Sequence, residues 1–123
     1  MMFNHVGIRV RNIALSCAFY DAALKPMRIV RSSTYEGGAG YGRDGVVGFW
    51  ISETRLPGAA HLAFAASSTA EVEAFYTSGL EAGGSDNGAP GPRPDYGPDY
   101  FAAFLIDPDG HNVEAVYMKN ARV

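Results

Sequence analysis

His5–Leu24 reads HVGIRVRNIALSCAFYDAAL, and 56 residues further on His61–Leu80 reads HLAFAASSTAEVEAFYTSGL. The two stretches align without a gap: His5 falls on His61, Ala18-Phe19-Tyr20 on Ala74-Phe75-Tyr76, and Leu24 on Leu80. Each begins as a strand. Val6, Ile8 and Val10 alternate with His5, Gly7 and Arg9, and Leu62 and Phe64 alternate with His61, Ala63 and Ala65, the period of a half-buried strand. Each continues as a helix. Asn12 stands at the first N-cap, ahead of Ile13, Phe19, Tyr20, Ala23 and Leu24. Ser68 or Thr69 stands at the second, with Glu71 in the first turn and Val72, Phe75, Tyr76 and Leu80 as the apolar stripe. Pro26 ends one helix and Gly83-Gly84 the other.

Working outward, the first helix precedes three strand-like pieces: MRIVRSSTY (27–35), a short one in AGYG (39–42), and VVGFWIS (46–52). EGGAGYGRDG (36–45) has the glycine content of a phosphate loop. It lacks the Gly-Lys-Ser/Thr ending and no helix follows it, so it reads as a hairpin. The second helix precedes SDNGAPGPRPDYGP (85–98) and then the strands YFAAFLI (100–106) and NVEAVYM (112–118), and NGAPGPRPDYGPDY (87–100) reads as a lid or an exposed linker. The turn Asp44-Gly45 falls on Asp109-Gly110, which sets Phe49 opposite Glu114. The expected fold is α+β: two tandem β-α-β-β-β modules, about 1–56 and 57–123 of one domain. They form a cupped mixed sheet with a central trough and helices on the outer face.

If the apolar strand faces pack on the helices, His5, His61 and Glu114 point into the trough. Two imidazoles and a carboxylate with open positions suit a divalent transition metal, and a cation accounts for a carboxylate in an apolar strand. Taken singly, a strand-start histidine is more often a hydrogen-bonded rim residue and a C-terminal glutamate a solvated one; their repeat-equivalent placement favours a site. Alternation places Val47, Phe49 and Ile51, and Tyr100, Ala102 and Phe104, on the trough side, with Trp50 facing away unless the strand register is off by one. Arg9 stands at the rim as a candidate anion contact. Arg93, Tyr96 and Asp99 are candidate ligand contacts from the lid segment. Tyr100, Tyr96 and Glu53 are the candidates for proton transfer. His111, in the turn, reads as a surface residue and Cys17 as a small packed hydrophobe.

The whole chain bears on what is excluded. Of its 123 residues, 47% are hydrophobic and 19% charged, with 10 basic and 13 acidic side chains scattered without runs. No basic stripe suggests nucleic acid, and no apolar run approaches a membrane span. The start lacks a signal-peptide pattern and one cysteine forms no internal disulfide, which fits a cytoplasmic protein.

HVGIRV with AFYDAAL, then HLAFAA, then DPDGHNVEAV resembles the vicinal oxygen chelate superfamily, which includes glyoxalase I, extradiol dioxygenases, methylmalonyl-CoA epimerase and fosfomycin or bleomycin resistance proteins. The resemblance implies ligands on the first, fifth and eighth strands at His5, His61 and Glu114, holding one divalent ion (Fe, Mn, Zn or Ni). The fourth-strand ligand of glyoxalase I falls on Phe49, a departure from that enzyme. The dioxygenase tyrosine falls on Phe104, and the cation that the fosfomycin transferases carry after the last strand has only Arg122 to match it. The resemblance implies a metal-dependent lyase, isomerase or dioxygenase that chelates neighbouring oxygens of a small organic molecule. The alternative is a non-catalytic protein that binds or sequesters such a molecule, as bleomycin-resistance relatives do. A homodimer is expected, because sheet edges and apolar sheet surface need covering. In short relatives the trough is built either within one chain or across two.

Overall fold

The computed structural model describes residues 3–55 and 58–119. Both helices begin where the sequence places their caps. In α1 (Ile13–Leu24) the Asn12 side chain accepts from the Leu15 N–H, and in α2 (Thr69–Glu81) Ser68 accepts from Glu71. Glu71 reaches back to the Ser67 N–H at 2.7 Å and takes Arg28 at 2.8 Å, so one carboxylate closes the helix start and ties it to the first module.

Strands β1 (Val6–Val10), β2 (Val30–Tyr35), β3 (Gly38–Arg43) and β4 (Val46–Glu53) form one sheet in the order β1-β4-β3-β2. Strands β5 (His61–Ala65), β6 (Ser85–Pro92), β7 (Tyr100–Ile106) and β8 (Asn112–Met118) form a second, in the order β5-β8-β7-β6. The shared order, with β1–β4 and β5–β8 parallel and the other pairs antiparallel, makes the chain two tandem β-α-β-β-β modules. The proline-rich 85–92 stretch is neither lid nor linker but β6. It bonds only to β7, through two register shifts, and an edge strand is where prolines are tolerated in a sheet.

The register corrects the facing of β4. Tyr41 pairs with Phe49 but Gly42 pairs with Val47, so Gly48 is an extra residue, a β-bulge. One extra residue reverses the alternation beyond it. Val6 lies beside Phe49, Gly7 beside Trp50 and Ile8 beside Ile51. Phe49 and Ile51 therefore face the helices, against the sequence expectation. Phe49 packs on Tyr20, Tyr41 and Phe64. In module 2 the same places are held by Val113, beside Leu62, and Glu114, beside Ala63. The structural counterpart of Glu114 is thus Trp50, not Phe49. Val47, before the bulge, does lie on the open face, where its Cγ1 and the Trp50 ring cover Gly40.

The helix-facing sides of both sheets, together with α1 and α2 packed on each other, form one core. The turn Asp107–His111 clamps the modules. Asp107, almost fully buried, accepts from Tyr20 Oη at 2.6 Å and from the N–H groups of Asp109 and His111. Asp109 accepts from the Arg11 N–H and from Ser16 Oγ. His111 is buried rather than on the surface: Nδ1 accepts from Ala60 N–H at 2.9 Å and Nε2 donates to the Arg9 carbonyl at 2.8 Å. Cys17 is buried, as expected.

Burial first, and then the carboxylates they donate to, push the Tyr20 and Tyr41 phenols well above the usual tyrosine range. Below about pH 10 the folded and unfolded phenols are both neutral and this contribution does not vary. Above it the unfolded chain loses these protons and the folded chain keeps them, so stability falls as pH rises. The urea midpoint is expected to decline above about pH 10. If the 295 nm phenolate absorbance reached the value for all tyrosines while the protein was still folded, this account would be wrong.

Candidate metal centre

Module 2 presents an open face built from alternate residues of β5, β8 and β7. His61, Ala63 and Ala65 lie beside Asn112, Glu114 and Val116, and these lie beside Ile106, Phe104 and Ala102. On it Glu114 is 2% exposed, with His61 Nε2 3.2 Å from one carboxylate oxygen and the Tyr100 hydroxyl donating to the other. Burial first, then the bond to Glu114 and its negative charge, push the Tyr100 phenol up. Tyr96 does not reach the carboxylate; it packs edge-on against the Tyr100 ring at 5.3 Å. His61 stacks on Phe104, with ring centroids 6.5 Å apart. Over the same Phe104 ring, at 5.4 Å, stands the Arg93 guanidinium, positioned by donation to the carbonyls of Ala89, Gly91 and Pro92. Arg93 forms no ion pair among the described residues.

The donor chemistry of the pair fits a metal ion. His61 Nδ1 lies 3.1 Å from the Asn112 carbonyl oxygen, which only accepts, so Nδ1 carries a proton. The Nε2 lone pair then points toward an anionic oxygen, an arrangement that needs a proton or a cation in between. Two donors about 2.1 Å from one ion at roughly right angles stand about 3 Å apart, close to the observed spacing. A carbonyl on the far histidine nitrogen and a hydrogen-bond donor on the free carboxylate oxygen are the supports that metal ligands ordinarily have.

The other predicted residues lie elsewhere. Among the described residues, no group of three His, Cys, Asp or Glu side chains is placed to hold one ion. His5 is exposed, with Nδ1 2.9 Å from Asn4 Oδ1. Ala60, the residue before His61, is one imidazole away from Arg9, at the far end of β1. His5 precedes Arg9 by four residues, about 13 Å of extended strand. The Arg9 side chain is exposed on the open face of module 1, and its carbonyl is what holds His111. Glu53 caps α1 by accepting from the Ile13 N–H at 3.0 Å, which takes it away from the open face. Arg122 lies outside the described residues.

Residues 2–115 match the model of the glyoxalase/bleomycin resistance protein/dioxygenase superfamily. The chain belongs to this superfamily. The superfamily fold also covers nearly all of the chain in solved structures. A glyoxalase/bleomycin resistance protein from Albidiferax ferrireducens T118 is 30% identical, with a TM-score of 0.84 over 95% of this chain and 99% of that one. A glyoxalase/bleomycin resistance protein/dioxygenase family enzyme from Burkholderia phytofirmans PsJN is 17% identical, with a TM-score of 0.72 over 94% and 97%. A glyoxalase-related enzyme from Fulvimarina pelagi is also 17% identical, at 0.71 over 91% and 84%. No match is found among the curated proteins. No helix is long and apolar enough to cross a membrane among the described residues.

The sequence missed Trp50 as a residue of the open face. The signal was Gly48: an isolated glycine inside a strand pattern marks a bulge, and a bulge moves the phase by one.

Proposed function

We propose that the protein is a metal-dependent enzyme of this superfamily, acting as a homodimer in which each metal site is shared between subunits. His61 and Glu114 of one subunit and His5 of the partner subunit are the ligands. The observation that carries the reading is the half-site itself: a buried carboxylate and an oriented histidine at ligand spacing, with no third His, Cys, Asp or Glu placed beside them among the described residues. The contacts between modules support the sharing. They come from helix faces and strand ends, and among the described residues no hydrogen bond, ion pair or ring contact joins the two open faces. Those faces also expose Val30 and Tyr35 in one module and Tyr96 and Met118 in the other, apolar surface for a second copy to cover.

A divalent ion held there supplies Lewis-acid chemistry to two neighbouring oxygens of a small organic molecule. The chain's own groups do the rest. Tyr100 donates to Glu114 and holds it in place, and its hydroxyl is the candidate proton-transfer group beside the centre. Phe104 fixes the His61 ring, and Arg93 offers a positive charge to an anionic ligand. The reaction is of the lyase, isomerase or dioxygenase type.

The test is metal content per chain, on protein purified without air or chelator and then offered Fe, Mn, Ni and Zn. About one equivalent is expected in the wild type and less than a tenth of that in His61→Ala and Glu114→Ala. A wild-type chain that takes up none of the four ions would overturn the reading. The same aromatic face would then be that of a protein that binds a small organic compound without chemistry.

A further inference from the structure

Trp50 holds the place in module 1 that Glu114 holds in module 2. The bulge at Gly48 turns it onto the open face, where its ring covers Gly40: a Cβ there would come within 2.6 Å of the indole. Tyr35 covers Gly38 in the same way and meets Trp50 at 6.3 Å between ring centroids. The neighbouring strand offers Gly7 beside Trp50. The result is an aromatic pair laid on a glycine floor, next to His5.

From this we infer that Trp50 is the specificity-determining wall of the site, and that the ligand is an organic acid that carries an aromatic ring beside its paired oxygens. The inference rests on the shared metal centre proposed above. If His5 of the partner subunit binds the ion, the partner's Trp50 lines the site beside it, because Trp50 stands to the His5 strand as Glu114 stands to the His61 strand. An indole cannot serve as a fourth ligand. It presents a π-face, which favours an offset or edge-on aromatic ring. The opposite wall carries Arg93 on Phe104, a guanidinium that meets no carboxylate among the described residues and suits the ligand's negative charge.

Mandelate and lactate serve as the probes. Both are 2-hydroxy acids with the same charge and the same oxygen pair, and only mandelate carries a phenyl ring. Calorimetry on the zinc-loaded protein is expected to show mandelate binding about tenfold more tightly than lactate. Trp50 is the one tryptophan of the chain, so its fluorescence should respond to mandelate and not to lactate. Trp50→Leu keeps an apolar side chain and should bring the affinity ratio close to one, whereas Trp50→Phe should retain most of it. Arg93→Met should weaken both ligands to a similar degree. An unchanged ratio in Trp50→Leu, with zinc still bound, would overturn the inference and leave the metal reading standing. Failure of the wild type to load zinc or any other ion would overturn both.

Discussion

Mixing His5→Ala protein with His61→Ala protein is expected to restore metal binding that neither variant has alone. In a homodimer with shared sites, each pure variant lacks one ligand at both sites. The mixed dimer concentrates the damage. One of its sites combines the two altered residues, and the other has an intact His61 and Glu114 facing an intact His5. With free exchange of subunits half of the dimers are mixed, and each has one good site of two, so about a quarter of the wild-type metal returns. Exchange is achieved by refolding the variants together from urea, and metal is counted after gel filtration. The control is a mixture of His61→Ala with Glu114→Ala. These residues belong to the same half-site, 3.2 Å apart, so no mixed dimer contains a complete set and no metal returns. If ligands all came from one chain, neither mixture would recover anything. Recovery in the control would show that the two residues do not serve one ion.

The repeat made the module architecture legible because matching aromatic pairs, helix caps and strand starts recur at one offset. His61, Glu114, Tyr100 and Phe104 were legible for a second reason: β5, β7 and β8 pair without a bulge, so alternation carries through from one strand to the next. The β4 facing was not. A bulge costs one residue, and the β3–β4 turn, aligned by its Asp-Gly, hides where that residue is spent. Phe49, Ile51 and Glu53 were misplaced for that single reason. Strand β6 was hidden by composition, since prolines and glycines argue against a strand unless its outer edge is known to be free. His111 looked like a surface turn residue because nothing local in DPDGH shows that the turn docks against another module. His5 is a different case. It is exposed just before β1, and strand alternation carries no information on its distance from His61.

The Asp107→Ala variant is expected to lose about 3–4 kcal/mol of stability, a large part of what a domain of this size has. The carboxylate gathers three donors in a buried place: the Tyr20 hydroxyl from module 1, and the N–H groups of Asp109 and His111 from its own turn. Truncation removes charge-assisted bonds and leaves those donors buried without a partner. Tyr20→Phe removes only the phenol bond, and Asp107 keeps both N–H groups, so its cost is about 1–2 kcal/mol. The difference between the two variants, read from urea midpoints, measures what the turn contributes beyond the single bond between modules. Equal losses would mean that the turn holds its shape without Asp107. The expectation also reaches the proposed metal centre. The chain leaves this turn through His111 into Asn112, whose N–H bonds to Ala60 at 2.9 Å and whose carbonyl orients His61. A loosened turn misplaces that carbonyl. Asp107→Ala should therefore bind metal about tenfold more weakly even at temperatures where it is fully folded, as expected when the group that orients a ligand is lost. Tyr20→Phe, with the turn intact, should bind metal like the wild type. The carboxylate of the turn thus joins two links that the sequence alone presents as separate: the docking of one module on the other, and the orientation of His61 on the opposite face of the sheet.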